Sequence, residues 1–440
     1  MPAADHPGSI ADATLEAIFA PFAGLPRLAL AVSGGADSLA LLILAQRWRA
    51  ARTQGPELVI LTVDHGLRPE SAAEARFVES VAARHGLASR ALRWDGPAPA
   101  AGIEAAARAA RYRLLVEAAR AEGITHIATA HHRDDQAETF LMRLARGSGV
   151  YGLAAMAAET DRGGIRLVRP LLGLSHDDLV AVVHASGLAP VADPHNSDPG
   201  FDRVRMRRLM PALAGEGLDA RTLADTAFRL GRAAAALDAY VGRLFAQAAE
   251  VDAFGAVRLR AEAWRGEPEE IRLRALARIL RAVGGAAYVP RLDGVEALAS
   301  AMAGEVAFAA RTLAGVVVDR RKDGFRFQRE GGRDGLSDIA VDGGFEGVWD
   351  GRFRVALAGA GAGLTIGALG AAGRRQFAVC VPRGMPRAIE ALPALRRGDA
   401  ILACPGLGIA ADPALGIAFS ATSLVAARML DPARHDDPGA

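Results

Sequence analysis

Apolar positions in the first third of the chain fall into short runs separated by helical spacings. Leu28 to Ser33 (LALAVS) is an aliphatic run ending in a glycine turn, and helix-spaced apolar residues follow from Leu39 to Trp48. A second run, Leu58 to Val63, ends at Asp64-His65-Gly66 and leads into a helical pattern from Ser71 to His85. A weaker strand pattern covers Ser89 to Trp94. A helix from Ile103 to Ala121, a strand from His126 to Ala130 and a helix from Asp134 to Arg146 complete the series. Such alternation predicts βα units and a mostly parallel sheet. Ligands of such sheets gather beyond the carboxyl ends of the strands. Three of the predicted strands run directly into polar clusters, Ser33–Ser38, Asp64–Arg68 and His131–Glu138, which places a site there before its chemistry is considered.

After Pro211 the pattern changes. Residues 211–220 (PALAGEGLDA) read as a linker, and Arg221 to Glu250 as one long alanine-rich helix or a pair. Glu267–Val283 and Leu292–Met302 are amphipathic helices, and Val306–Glu330 reads as a β-pair turning at Lys322-Asp323-Gly324. Gly331–Gly335 is a second linker, followed by Gly/Pro-rich sequence with short strands near Trp349-Asp350-Gly351 and Ile401–Cys404. The expected organisation is an α/β domain over residues 1–215, a helical and mixed domain over 216–330, and a mixed α+β domain over 331–440. That division suits a chain of 440 residues at about 150 per domain.

Composition narrows the function. With 51% hydrophobic but only 5% aromatic residues, the chain has a core built from Ala, Leu, Val and Ile, and general disorder is excluded. A net charge of +2 is too small for a wholesale nucleic-acid coat, so any polyanion is met by a local patch. Lys322 is the single lysine, which excludes the phosphate loop that requires a lysine after its glycines. Cys380 and Cys404 form no C-x-x-C or Cys/His cluster, which argues against structural zinc, iron–sulfur ligation and a disulfide framework. Both sit in aliphatic surroundings that predict buried thiols. The first arginine is Arg27, and no signal-peptide pattern precedes it. The longest uncharged run, Val355–Gly373, holds six glycines and too few large apolar side chains for a membrane span. A cytoplasmic protein without a membrane partner is expected.

The sharpest motif is Ser33-Gly34-Gly35-Ala36-Asp37-Ser38, lying between a strand and a helix. Two glycines allow close backbone approach to a phosphate, the helix start supplies unpaired N–H groups, and the serines add hydroxyl donors. Asp37 suits Mg²⁺ or the aiming of a backbone amide. The plainer reading is a glycine-rich turn with a Ser/Asp cap. The hexapeptide resembles the PP-loop of the ATP pyrophosphatases. Within that superfamily the N-terminal half is similar to the tRNA(Ile)-lysidine synthetases. The resemblance is carried by VDHGLRPES (Val63–Ser71), GIEAAARAARYRLL (Gly102–Leu115), ATAHHRDDQAETFLMRLARGSG (Ala128–Gly149), RPLL (Arg169–Leu172) and DPHN (Asp193–Asn196). It covers about the first 215 residues. It implies the adenine nucleotide alpha-hydrolase-like fold, ATP with Mg²⁺, and as partners L-lysine and tRNA(Ile) with a CAU anticodon. ATP adenylates the C2 oxygen of the wobble cytidine, and the side-chain amine of lysine displaces AMP to give lysidine.

Other residues attach to that chemistry. In His131-His132-Arg133-Asp134-Asp135, with Glu138 and Thr139 beyond, Asp134 and Glu138 share a helix face with Asp135 beside them. Three carboxylates there suit a divalent metal or an incoming ammonium, and His132 suits charge balance or proton handling. An acidic first turn favoured by the helix dipole has the same appearance. Zinc is not expected, because the cluster lacks the i, i+4 histidine pair of helical zinc sites. On the Ile103 helix, Glu104, Arg108, Arg111, Tyr112 and Leu115 form a stripe in which Arg111 is the candidate for a phosphate or adenylate. Asp64 and His65, at a strand end, are candidates for nucleotide or tRNA, and Asn196 for substrate. Phe201–Arg208 holds four arginines, of which Arg203, Arg205 and Arg207 are candidates for a strip across tRNA phosphates or for a solvated face. The family pattern has asparagine where this chain has Val204, and a small hydroxyl residue where it has His195. The alternatives are another PP-loop enzyme, either a tRNA thiolase or an amide-forming synthetase, and a nucleotide- or RNA-binding protein without turnover. The lack of any cysteine in residues 1–379 weighs against the thiolases that use one there. The oligomeric state is left open, a homodimer included.

Overall fold

The computed structural model describes residues 10–64, 66, 70–94, 103–191, 200, 202–304, 308–331, 335–359, 361–380 and 386–431. The described residues divide into two compact units, one up to residue 234 and one from residue 235 to 431.

In the first unit the strands are β1 (Arg27–Ala31), β2 (Glu57–Asp64), β3 (Ala88–Arg93), β4 (His126–Ala128), β5 (Glu159–Asp161) and β6 (Arg166–Val168). They form one sheet in the order β3-β2-β1-β4-β6-β5, parallel except for the β5–β6 pair. The helices are α1 (Asp12–Phe19), α2 (Ala36–Ala50), α3 (Ser71–Arg84), α4 (Ile103–Ala121), α5 (Arg133–Ala145), α6 (Val150–Leu153), α7 (His176–Ala185) and α8 (Asp202–Gly215). Strand alternation sorts the core. Leu28, Leu30 and Ile60 point to the face packed by Leu39 and Leu42 of α2, Val78 of α3 and Leu179 of α7. Ala29, Ala31 and Leu61 point to the opposite face, against Leu115, Ala118 and Ala119 of α4. Because β1 is covered on both faces, its run is continuously apolar rather than alternating. The two three-residue strands β5 and β6 escape sequence reading because they are too short to show a period.

The strand order reverses beside β1. From β1 the chain steps to β2 and β3 on one side, then crosses to β4 on the other. Beyond the carboxyl ends of β1 and β4 the departing segments diverge and leave a crevice. Both strongest motifs, Ser33–Ser38 and His131–Glu138, follow those two strands.

α9 (Ala220–Ala248) contains the division between the units. In the second unit come β7 (Ala249–Val251), β8 (Val257–Arg260), α10 (Ala261–Arg265), α11 (Glu269–Gly284), α12 (Leu292–Ala303), β9 (Arg311–Leu313), β10 (Val316–Arg320) and β11 (Gly324–Arg329). Their sheet, β7-β8-β11-β10-β9, is antiparallel. The expected β-pair around Lys322 is the β10–β11 hairpin, with Val316 opposite Arg329. β12 (Ile339–Val341), β13 (Phe345–Trp349), β14 (Phe353–Ala358), β15 (Leu364–Ala368), β16 (Pro393–Arg397), β17 (Ala400–Ala403) and β18 (Ala418–Ser423) form a four-stranded and a three-stranded sheet around Trp349, Phe353 and Leu392. The glycine-rich run Val355–Gly373 therefore holds β14's end and β15. Among the described residues no helix is long and apolar enough to cross a membrane. Cys404 is buried and its thiol is pushed up to about 11 by that burial. Cys380, expected to be buried too, is exposed, because it ends a short 3₁₀ turn whose three residues all face away from the core.

Candidate active site

The chain leaves β1 and turns through Ser33-Gly34-Gly35 into α2. Gly34 has φ +90°, and a Cβ there would sit 3.3 Å from Val191 and 3.4 Å from Val78, so backbone and packing both require glycine. Gly35 differs. Its φ is an ordinary −70°, and a Cβ would meet only Ser33 Oγ at 3.9 Å. Nothing in the fold demands glycine at this position, and its bare backbone leaves room for a ligand over the start of α2. Gly35 is the N-cap and offers no side-chain cap, so the first amides of the helix are open to an anion. The Ser38 hydroxyl ties the turn closed, donating to the Gly35 carbonyl at 2.9 Å and accepting the Ser33 N–H at 3.1 Å.

A cleft of about 560 Å³ opens over this turn, lined by Ser33, Gly35, Ala36, Asp37 and Ser38 and, opposite them, Arg108, Arg111 and His131. A second cleft of about 320 Å³ shares Ser33, Gly35, Arg108 and Arg111 and continues past Thr62, Val63 and Ser71 at the end of β2. Arg108, Arg111, Tyr112 and Leu115 of α4 thus face the site. Arg108 lies 5.3 Å over the Tyr112 ring. Arg111 is exposed along the cleft, and among the described residues no ion pair holds it.

The two adjacent histidines have opposite character. His131 lines the cleft with Nδ1 2.9 Å from Thr129 Oγ1. Burial, followed by the charges of Arg169, Arg203, Arg108 and Arg111, holds its pKa well below the ordinary value, so it is a neutral imidazole. His132 is 3% exposed. Burial pushes it down, but the carboxylates of Asp134 and Asp37, 3.5 and 3.6 Å from its two ring nitrogens, and the charge of Asp135 outweigh this and raise it to about 10. Asp37 is held below the usual carboxylate range because His132 and His176 outweigh its burial. For Asp134, His132 and the backbone N–H of His176 likewise outweigh burial and bring it to about 2. Asp135 faces the cleft and also caps α5, its Oδ2 accepting the His132 N–H at 3.0 Å.

Comparison with known proteins agrees with this geometry. The PP-loop domain family matches residues 8–213. A tRNA(Ile)-lysidine synthase of Rhodopseudomonas palustris is 52% identical over 65% of this chain and 82% of its own length. That of a Bradyrhizobium strain is 48% identical over 73% of this chain and 95% of its own length. The Ruegeria pomeroyi synthase, at 38% identity, spans 87% of this chain and 89% of its own length. The chain belongs to the tRNA(Ile)-lysidine synthases. It is an ATP-using, tRNA-modifying ligase that forms lysidine on tRNA(Ile).

Not every residue expected at the site of this synthase lies there. Glu138, a candidate for an incoming ammonium, is 2% exposed and clamped by two guanidinium groups. Arg203 Nε donates to its Oε2 at 2.7 Å and Arg207 Nε to its Oε1 at 2.7 Å. The expected free strip of arginines is therefore not one: Arg203 and Arg207 fasten α8 to α5 and border the cleft, while Arg205 turns to Asp202 and the Gly200 carbonyl. Asp64 closes the turn after β2, accepting from Gly66 N–H at 3.0 Å and from the Ser71 hydroxyl. His65, His195 and Asn196 lie outside the described residues. Two residues were not foreseen, His131 and His176. His131 was hidden by its neighbour in the doublet. His176 is 139 residues from Asp37 in sequence, and no local spacing links them.

Proposed function

We propose that the cleft adenylates the C2 oxygen of the wobble cytidine in the CAU anticodon and then delivers L-lysine to the same carbon. In the first step the cytidine oxygen bonds to the α-phosphorus and pyrophosphate leaves. In the second the side-chain amine of lysine attacks C2, AMP leaves, and the amine gives up its proton. The Gly34–Ser38 turn and the open amides of α2 take the departing pyrophosphate, the room above Gly35 being the observation that carries this assignment. Mg²⁺, met by Asp37, would neutralise phosphate charge there. Arg111, held by no ion pair among the described residues, and Arg108 stabilise the charge developing at the α-phosphate and on leaving AMP. His131, kept neutral by burial and by four arginines, offers an uncharged ring nitrogen to substrate in the cleft, while the same charges oppose its taking up the amine proton, which passes to solvent. Asp135 and Asp134 attract the lysine ammonium before it is deprotonated. Residues 1–215 are the catalytic domain, and residues 216–330 and 331–440 hold the tRNA. The enzyme works in the cytoplasm, where tRNA, lysine and ATP are present together. The phosphate-loop assignment is tested with Asp37→Ala. Pyrophosphate release should fall to background in a protein that still folds, with the melting temperature lowered only by the loss of the carboxylate facing His132 and His176. A normal rate of release would remove the assignment.

A further inference from the structure

Asp37 on α2, His132 at the start of α5 and His176 at the first position of α7 come from three separate elements and meet beside the glycine turn. One ligand atom from each, a carboxylate oxygen and two ring nitrogens, lies within 4.8 Å of the others. His176 Nδ1 is 2.9 Å from Asp37 Oδ1, and His132 Nε2 is 3.6 Å from Asp37 Oδ2. We propose that these three side chains form a binding site for an imidazole-preferring divalent cation of the Zn²⁺ class, able to fill without nucleotide.

The spacing is the first support. Metal bonds of about 2.0–2.2 Å set neighbouring ligand atoms roughly 3–3.5 Å apart, close to the 2.9 and 3.6 Å seen here, and an ion takes the place of the protons that His132 and His176 hold without it. The orientation of His132 is the second. Its ring is almost wholly buried, and its Nδ1 makes no hydrogen bond yet faces Asp134 Oδ2 at 3.5 Å. A carboxylate behind one ring nitrogen directs the other toward a metal, and here Nε2 faces Asp37. Asp134 also accepts the His176 N–H at 2.9 Å, so one carboxylate sets both histidines. The third support is rigidity. Ser175 caps α7, accepting the Asp178 N–H at 3.1 Å while Asp178 accepts the Ser175 N–H at 2.9 Å, which fixes the helix start bearing His176.

Ligand type decides the ion. Mg²⁺ prefers six oxygens and would be held mainly by the phosphates of bound ATP with Asp37 beside them, whereas without nucleotide the two imidazoles and one carboxylate favour zinc-like ions. Three protein ligands leave a position open. Asp37 and His176 line the cleft, so an oxyanion there can complete the sphere. The ion's task at a phosphate rests on the ATP-site reading, while the ligand set stands on geometry alone.

The test is a Co²⁺ titration of the full-length, chelator-stripped, nucleotide-free protein, followed by the visible absorption of imidazole-bound cobalt. The expected result is saturation at one equivalent that survives an excess of Mg²⁺ of about a hundredfold. His176→Gln, which keeps a side chain able to hydrogen-bond Asp37, should weaken Co²⁺ binding roughly tenfold or more without lowering the melting temperature. His176→Ala should do the same. Absence of the band, displacement by equimolar Mg²⁺, or equal titration of wild type and His176→Gln would each overturn the proposal. Pyrophosphate release with Mg²⁺, ATP and unmodified tRNA(Ile) is measured on the same preparation. Release without a cobalt band sinks the metal site alone, and a cobalt band without release sinks the ATP-site reading alone.

Discussion

His131 and His132 are joined by one peptide bond and differ because one ring faces four arginines while the other faces three carboxylates. If the neutral ring holds substrate through a hydrogen bond, His131→Phe, which removes both ring nitrogens, should lower the rate of product formation by about tenfold with little change in melting temperature. A near-normal kcat in that variant would take His131 out of the site. The sequence could not separate the two histidines, since both sit in one polar cluster and the deciding charges come from α4, α8 and the segment after β6. The cysteines show the same limit: aliphatic neighbours made both look buried, and only Cys404 is. A thiol reagent at pH 8 should therefore modify one cysteine in the folded protein and two after denaturation, because the Cys404 thiol, raised to about 11, stays protonated. Product formation should survive modification of Cys380. Rapid modification of both thiols in the native state would contradict the burial of Cys404, and loss of all product after alkylating Cys380 would reopen sulfur chemistry.

At the scale of elements, the glycine turn was legible because strand, turn and helix follow one another in sequence. The α5–α8 pairing was not. Glu138 and Arg203 are 65 residues apart, and an arginine-rich helix looks the same in sequence whether it faces phosphate or a buried carboxylate. Removing Glu138 leaves Arg203 and Arg207 without their shared anion. Glu138→Ala should cost about 2–3 kcal/mol in denaturant unfolding, toward the lower end for a broken buried pair because Arg207 is half exposed. α8 should also loosen, seen as faster amide exchange in residues 202–215. Unchanged stability would mean that the clamp does not hold the helix. β1, α2, β2, α3, β3 and α4 all follow the hydrophobic pattern, whereas β5 and β6 lack the length to show one.

For the whole molecule, the sheet order places the ends of β1 and β4 side by side, and the two motifs that follow them share one cleft. Family membership shows ATP-dependent lysidine formation by this chain, and the proposed reading places that chemistry in this cleft. The most direct test is incubation of the protein with ATP, labelled lysine and unmodified tRNA(Ile) bearing a CAU anticodon. Label should enter that tRNA in an ATP-dependent manner, with AMP and pyrophosphate formed in equal amounts. It should not enter tRNA(Met), which carries the same anticodon. Absence of label from tRNA(Ile), or equal labelling of tRNA(Met), would contradict the account.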